Sequence, residues 1–304
     1  MPELSIIIPV YNEEENIVPL FNELIKFVPE NFELLFVDDG STDHTFLEIE
    51  SLSKTDTRIK CISFSRNFGH QNAFIAGLEH ASGNVIITMD GDLQDPPSLI
   101  PELINKINAG FDIVFTKKDK EENLPALKRI TSKLFYKLLH FLSDTNIEPE
   151  SADFRAFNKK VQQSVLQFKE RQLFLRGIFS WIGFNRTYLT FNRPGRLKGK
   201  TKYTYAKMLG LGLKGTTSFS FKPLRVSLLI GAIVSLFAFS FAFYALISYF
   251  QGKTIQGWAS TIIAMMLMGG IQLLVIGLLG EYIASMFIEI KNRPLYLIKN
   301  TINL

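Results

Sequence analysis

The stretch "MDGDLQDPP" (89–97) places Asp90, Asp92 and Asp95 within six positions, directly after the apolar run "NVIIT". Carboxylates this close repel one another, and an apolar neighbourhood strengthens the repulsion. A bound divalent cation removes it. Asp90 and Asp92 are two apart, so in extended backbone they point to the same side. Two hard oxygen ligands presented together suit Mg2+ or Mn2+, above all an ion that phosphate groups also hold. Gln94 is close enough in sequence for a third ligand, directly or through water. Asp95 reads instead as the cap of a proline-started helix.

Three further polar clusters have the same setting. "YNEEE" (11–15) follows "LSIIIPV", "DDGSTD" (38–43) follows "FELLFV", and "RNFGHQNA" (66–73) follows "IKCISF". Those runs are apolar and β-branched without alternation, as in strands covered on both faces. Between them lie segments of helical period: "EENIVPLFNELIKFV", "DHTFLEIESLSK" and "GHQNAFIAGLEHA". "PPSLIPELINKINAG" is a fourth helix, and "FDIVFT" a fifth strand. Strands alternating with helices predict an α/β fold, a mostly parallel sheet with helices on both faces. Ligands of such sheets bind beyond the carboxyl ends of the strands. All four polar clusters should therefore meet at one edge. Helix capping by Ser41 or Asp43 at His44 explains "STD" alone, but not four clusters at four strand ends.

The rest of the chain points to a membrane. Net charge is +4 over 304 residues with pI about 8.9, too mild to imply a nucleic-acid partner. Cys61 is the single cysteine, so no intrachain disulfide forms, and a reducing compartment fits. The N-terminal run is short and followed by "YNEEE", unlike a signal peptide. Residues 226–250 and 258–280 are free of charge, and each exceeds the roughly 20 residues a spanning helix needs. "QGKTIQG" between them is short, which predicts an antiparallel hairpin. Lys214, Lys222 and Arg225 precede it, Lys291, Arg293 and Lys299 follow it, and Lys253 lies within the linker. The positive-inside rule puts both flanks in the cytoplasm. The expected organisation is a cytosolic domain at 1–202, a juxtamembrane amphipathic segment at 203–225, two membrane helices within 226–290 (about 226–250 and 258–282), and a cytosolic tail at 291–304. The expected location is the cytoplasmic (inner) membrane, multi-pass, with both termini in the cytoplasm.

"IIIPVYNEEENI", "VDDGSTD", "SRNFGHQNA", "MDGDLQDPP", "SADFRAF", "FLRG", "GKTKY" and "GEY…NRP", with the two-helix tail, cover nearly the whole chain. Together they resemble the family 2 glycosyltransferases of the GT-A fold, and among these the polyprenyl-phosphate enzymes: bactoprenol glucosyltransferases and dolichol-phosphate mannose synthases. The resemblance implies that Pro9, Tyr11, Glu13, Asp39 and Asp90 contact a nucleotide sugar, with Lys200 and Lys202 near its phosphates. It implies Asp90, Asp92 and Gln94 around the metal, and Asp153 and Arg155 beside Asp92 at the reacting centre. Relatives carry an arginine for the acceptor phosphate after "DIVF". Here the stretch is "TKKDKEE", so Lys117 or Lys118 stands in as a point charge without the bidentate fork. Arg129 and Ser132 are further acceptor contacts by resemblance.

The implied reaction is inverting, metal-dependent transfer of a hexose from a nucleotide diphospho-sugar, with UDP-glucose or a related UDP-sugar favoured. The acceptor is polyprenyl (undecaprenyl) phosphate, and the product serves cell-envelope glycosylation. Lys and Arg interspersed with Leu134, Phe135, Leu138, Leu139 and Leu142 in 127–142 suit a helix on an anionic membrane surface. GDP-mannose-dependent synthesis of a dolichol- or polyprenyl-phosphate mannose is the alternative. A processive polysaccharide synthase would need more membrane helices and a Q-x-x-R-W-type sequence. A non-catalytic scaffold would not need intact "DGD" and "DDGS". A homo-oligomer is compatible with the sequence.

Overall fold

The structure is a computed structural model that describes residues 2–118, 151–171, 174–191, 222–251 and 257–304. Eight strands form one mixed sheet: β1 (Leu4–Val10), β2 (Phe32–Asp38), β3 (Ile59–Phe64), β4 (Val85–Thr88), β5 (Ile113–Lys118), β6 (Ser151–Asn158), β7 (Arg186–Phe191) and β8 (Ile298–Ile302). Their order is β7-β5-β6-β4-β1-β2-β3-β8. β4, β1, β2 and β3 run parallel, β6 is antiparallel to β4 and β5, β7 is parallel to β5, and β8 is antiparallel to β3.

Every residue of β1 and β2 is buried, which is why these runs show no alternation. Alternate residues face opposite layers. Ile6, Ile8 and Val10 join a core with Ile17, Leu20 and Leu24 of α1 (Glu14–Leu24) and Ile49 of α2 (Thr45–Thr55). Leu103 and Ile107 of α4 (Ile100–Asn108) complete that layer. Ile7 meets the other layer at α3 (His70–His80), where a Cβ on Gly77 would lie 2.2 Å from Ile7 Cγ2. Two short helices, α5 (Lys159–Val165) and α6 (Leu175–Trp181), follow β6.

Two differences from the sequence reading matter. β5 runs on through Lys117 and Lys118, two residues past the expected "FDIVFT". The segment expected as a tail contains β8, an edge strand of the sheet. The chain divides into two units; one holds the sheet with β8, the other holds α7 (Lys222–Phe250) and α8 (Trp258–Lys291). Within α8, Leu267–Lys291 is long and apolar enough to cross a membrane. Within α7, Ser227–Phe241 is a shorter apolar run. Leu228, Leu236, Phe237, Phe239, Phe241 and Phe250 of α7 are exposed, a surface unsuited to water.

Candidate active site

The carboxyl ends of β1 to β3 are joined by side-chain to backbone hydrogen bonds, because each chain reversal there leaves amides that helices and strands do not satisfy. Asn12, at φ 54°, accepts from Thr42 N at 2.9 Å, and Ser41 Oγ accepts from Asn12 N at 3.0 Å. Asp43 accepts from Thr45 N and Oγ1 at the start of α2 and from Glu14 N of α1. Glu13 N donates to Thr45 Oγ1 at 2.9 Å. Pro9 is buried in β1, Tyr11 is exposed, and Glu13 is half-buried.

The two aspartates of "VDDGS" divide their work. Asp38 is structural: it accepts from Ser41 N at 2.9 Å and Ser63 Oγ at 2.7 Å. Asp39 reaches across to the loop after β3, accepting from Phe68 N at 2.6 Å and Gly69 N at 2.9 Å. Burial nonetheless holds its carboxyl above the usual range, against those amides. Gly40, at φ 71°, makes the approach feasible, since a Cβ there would lie 2.4 Å from the Arg66 carbonyl carbon.

His70, the first residue of α3, places Nε2 3.0 Å from Asp90 Oδ1. Burial acts to lower the imidazole pKa, but Asp90 and Asp153 together outweigh it and the net shift is upward. Asp90 N donates to Asp95 Oδ2 at 3.0 Å, and Asp92 Oδ1 accepts from Gln94 N at 3.2 Å. Leu93 turns the loop at φ 60°. Asp95 thus shapes the acidic loop. The 3-10 turn Pro97–Leu99 and α4 that follow begin at Pro96 and Leu99 without a side-chain cap, contrary to the sequence reading.

Thr88 Oγ1 donates to Asp153 O at 2.7 Å, which joins β4 to β6 beside the acidic loop. Asp153 takes Arg176 of α6 as a fork, Nε at 3.0 Å and Nη2 at 2.7 Å, and Arg155 Nη2 at 2.9 Å. Burial would raise its pKa, yet Arg176 first, then Arg155 and His70, hold the carboxyl well below the usual range. Arg155 is buried, its pKa pulled down to about 10 by desolvation despite Asp153, and it lies 4.6 Å over the Phe179 ring. Gln71 Oε1 accepts from Leu175 N at 3.1 Å, so the starts of α3 and α6 are tied together.

Asp39, Asp90, Asp153 and Arg155 are thereby brought into one connected group, with Asp92 in the same loop as Asp90. Arg176 and His70 join it, although the sequence reading assigned them no role. "FLRG" and "RNFGHQNA" contain them, but no spacing rule puts residue 176 beside residue 153. Lys117 places its Nζ 3.9 Å over the Tyr188 ring of β7. Arg129, Ser132, Lys200 and Lys202 lie outside the described residues, as do 127–142 and 203–221.

Gln94 is buried, whereas Asp90 and Asp92 are partly exposed. Among the described residues no group of three or more His, Cys, Asp or Glu side chains is arranged to hold a metal ion. A hard cation that keeps water and takes one or two carboxylates plus substrate phosphates needs no such group. The Asp90 and Asp92 oxygens fit that mode.

Comparison with known proteins decides the family. Residues 5–166 match Glycosyl transferase family 2, and residues 222–286 match the GtrB C-terminal hairpin. The chain belongs to glycosyl transferase family 2. Bactoprenol glucosyl transferase of Shigella phage SfII is 40% identical over 303 residues, covering 98% of each chain. The Bacillus subtilis (strain 168) glycosyltransferase YkcC is 41% identical over 304 residues, 98% of this chain and 94% of its own. Glucosyl-3-phosphoglycerate synthase from Mycobacterium tuberculosis, solved with Mn2+, UDP-glucose and phosphoglyceric acid, shares the fold. Its TM-score is 0.50 at 16% identity, over 71% of this chain and 78% of that one. This family 2 glycosyltransferase carries a membrane-associated hairpin, and the matched region takes in residues 258–286 of the apolar α8.

Proposed function

We propose that this glycosyltransferase moves a hexose from a UDP-sugar, UDP-glucose first among them, to the phosphate of a polyprenyl lipid. The observation that carries the reading is the 40% identity to bactoprenol glucosyl transferases across both the sheet and the hairpin. A UDP-sugar bound with Mn2+ in a protein of the same fold agrees with it. The nucleotide then lies along Pro9, Tyr11, Glu13 and Asp39. Asp90 and Asp92, with Gln94 beside them, hold a divalent ion, which supplies charge neutralisation at the departing diphosphate.

The lipid phosphate is already an anion, so its attack needs no general base. Asp153 suits that chemistry: the arginines keep it ionised, and it fixes the Arg176 fork instead of taking a proton. Arg176, about one-third exposed and held by Asp153, is of the residue type that binds phosphate oxygens. In-line attack at the anomeric carbon inverts it and gives a β-linked lipid phosphate sugar from an α-linked donor. Lys117, Lys118, Arg129 and Ser132 are the proposed acceptor-side contacts, and Lys200 and Lys202 the proposed donor-phosphate contacts.

The return of the chain to the sheet as β8 supports a hairpin that crosses the membrane twice, since both flanks then lie on the side of the catalytic domain. Nucleotide sugars place that side in the cytoplasm. The deciding experiment incubates purified protein in detergent with polyprenyl phosphate, Mg2+ or Mn2+ and a panel of UDP- and GDP-sugars. Mass spectrometry of the lipid should find a hexosyl polyprenyl phosphate with a UDP-hexose. Product from GDP-mannose alone would overturn the donor assignment.

A further inference from the structure

Beyond the hairpin the chain re-enters the sheet next to the loop that Asp39 grips. β8 pairs with β3, Cys61 opposite Ile302, Ile62 opposite Thr301 and Ser63 opposite Asn300, and the register shifts at Phe64. Ser65 N then donates to Leu297 O at 2.9 Å, and Asn303 Nδ2 donates to Ile59 O at 2.9 Å. Tyr296 stacks on Phe64 with ring centroids 4.7 Å apart at 15°, and its hydroxyl donates to the Glu79 carboxylate on α3. Phe64 in turn meets Phe68 edge-on at 5.8 Å. Phe68 and Gly69 are the residues whose amides Asp39 accepts, and His70 follows them to Asp90.

Segment 65–69 has little core of its own. Ser65, Arg66 and Asn67 are exposed, and Phe68 and Gly69 are only partly buried. A segment with so few buried apolar contacts opens easily unless its neighbours hold it. It is held from two sides: by Asp39 toward the site, and by Leu297, Tyr296 and the Phe64 ring toward the sheet edge.

We propose that β8 and Tyr296 are positioning elements of the donor site, holding segment 65–69 so that the Phe68 and Gly69 amides and His70 meet Asp39 and Asp90 in the arrangement that binds nucleotide. The inference rests on the donor-site reading above and extends it to the strand that follows the membrane hairpin. Tyr296 touches no reacting group; it acts through Phe64 and Phe68.

The test uses the full-length protein in detergent, with Tyr296→Ala and Tyr296→Phe. Amide hydrogen exchange is followed in 65–72, and UDP affinity is measured by calorimetry with Mn2+ present. Tyr296→Ala should speed exchange in 65–72, leave β1 and β2 at wild-type protection, and weaken UDP by at least about fivefold, the lower end of site-to-site couplings. Tyr296→Phe keeps the stack and loses only the Glu79 bond, so it should fall between; it carries the test if the alanine variant unfolds. Unchanged exchange in 65–72 would overturn the clamp. Faster exchange with unchanged UDP affinity would overturn the positioning role. A wild-type protein that binds no UDP would instead remove the donor-site reading and the inference with it, while the exchange arm would still report whether Tyr296 holds the segment.

Discussion

At the residue scale the site is a balance of buried charge. Asp153 is stable as an anion because two guanidinium groups face it, and Arg155 tolerates burial because Asp153 does. Asp153→Asn should cost about 3 kcal/mol at neutral pH, the scale of breaking one partner of a buried pair. The sign with pH follows from the depressed carboxyl. Its contribution is complete well above the unfolded value of about 3.9 and is lost as pH falls toward the folded value. The stability gap between wild type and variant, measured by denaturant unfolding, should be constant above about pH 5 and narrow below it. A gap that widened on acidification would contradict the assignment. Asp92 is different, since it is partly exposed and its Oδ1 bonds the nearby Gln94 amide. Asp92→Ala should therefore leave the melting curve within about 1 kcal/mol. It should lower transfer by about a hundredfold or more, the several kcal/mol of charge stabilisation a metal gives. Electron paramagnetic resonance of added Mn2+ should show the lost binding directly.

At the element scale the connections after β2 and β3 matter more than the strands themselves. Gly40 lets the Arg66 backbone come close, and that approach brings Phe68 and Gly69 to Asp39. Alanine at Gly40 would adopt φ 71° at a cost of about 1–2 kcal/mol. Displacing backbone instead of a pliable side chain adds overpacking of about 1–3 kcal/mol. Gly40→Ala should lower stability by about 2 kcal/mol or more and weaken nucleotide binding, read by thermal melting and calorimetry. Gly69 has no atom within 4 Å of an added Cβ, so its positive φ of 103° is the main demand there.

At the scale of the whole molecule, the chain leaves the sheet for two apolar helices and comes back to it. On the proposed orientation, a cysteine at Gln251, between α7 and α8, should react with an impermeant maleimide added to intact cells. A cysteine at Leu304, next to β8, should react only after the cells are opened. Cys61 is buried with its thiol pushed far up by desolvation, so it adds no background. Labelling of Leu304→Cys in intact cells would put the catalytic unit on the outer side and contradict a nucleotide-sugar donor.

The sequence by itself determined the strands and helices through Phe115, the apolar hairpin and the family. Each of these is carried by local pattern: β-branched runs, a period of 3.6 and charge-free stretches longer than a bilayer. The extended backbone expected at Asp90 and Asp92 is instead a turn, because β4 ends at Thr88. Tertiary structure decided the rest. "SADFRAFN" reads as a site motif, yet it is a strand antiparallel to β4 and β5, and the pairing brings Asp153 to the acidic loop. Arg176 reaches Asp153 from α6, whose start Gln71 of α3 holds through the Leu175 amide. β8 is polar and exposed along most of its length, so no apolar run announces it. Its position follows from the open hydrogen-bonding edge of β3 and the ring of Tyr296 on Phe64, contacts between residues more than 200 positions apart. Local pattern specifies what a segment is; which segments meet depends on how the sheet as a whole satisfies its amides and buries its faces.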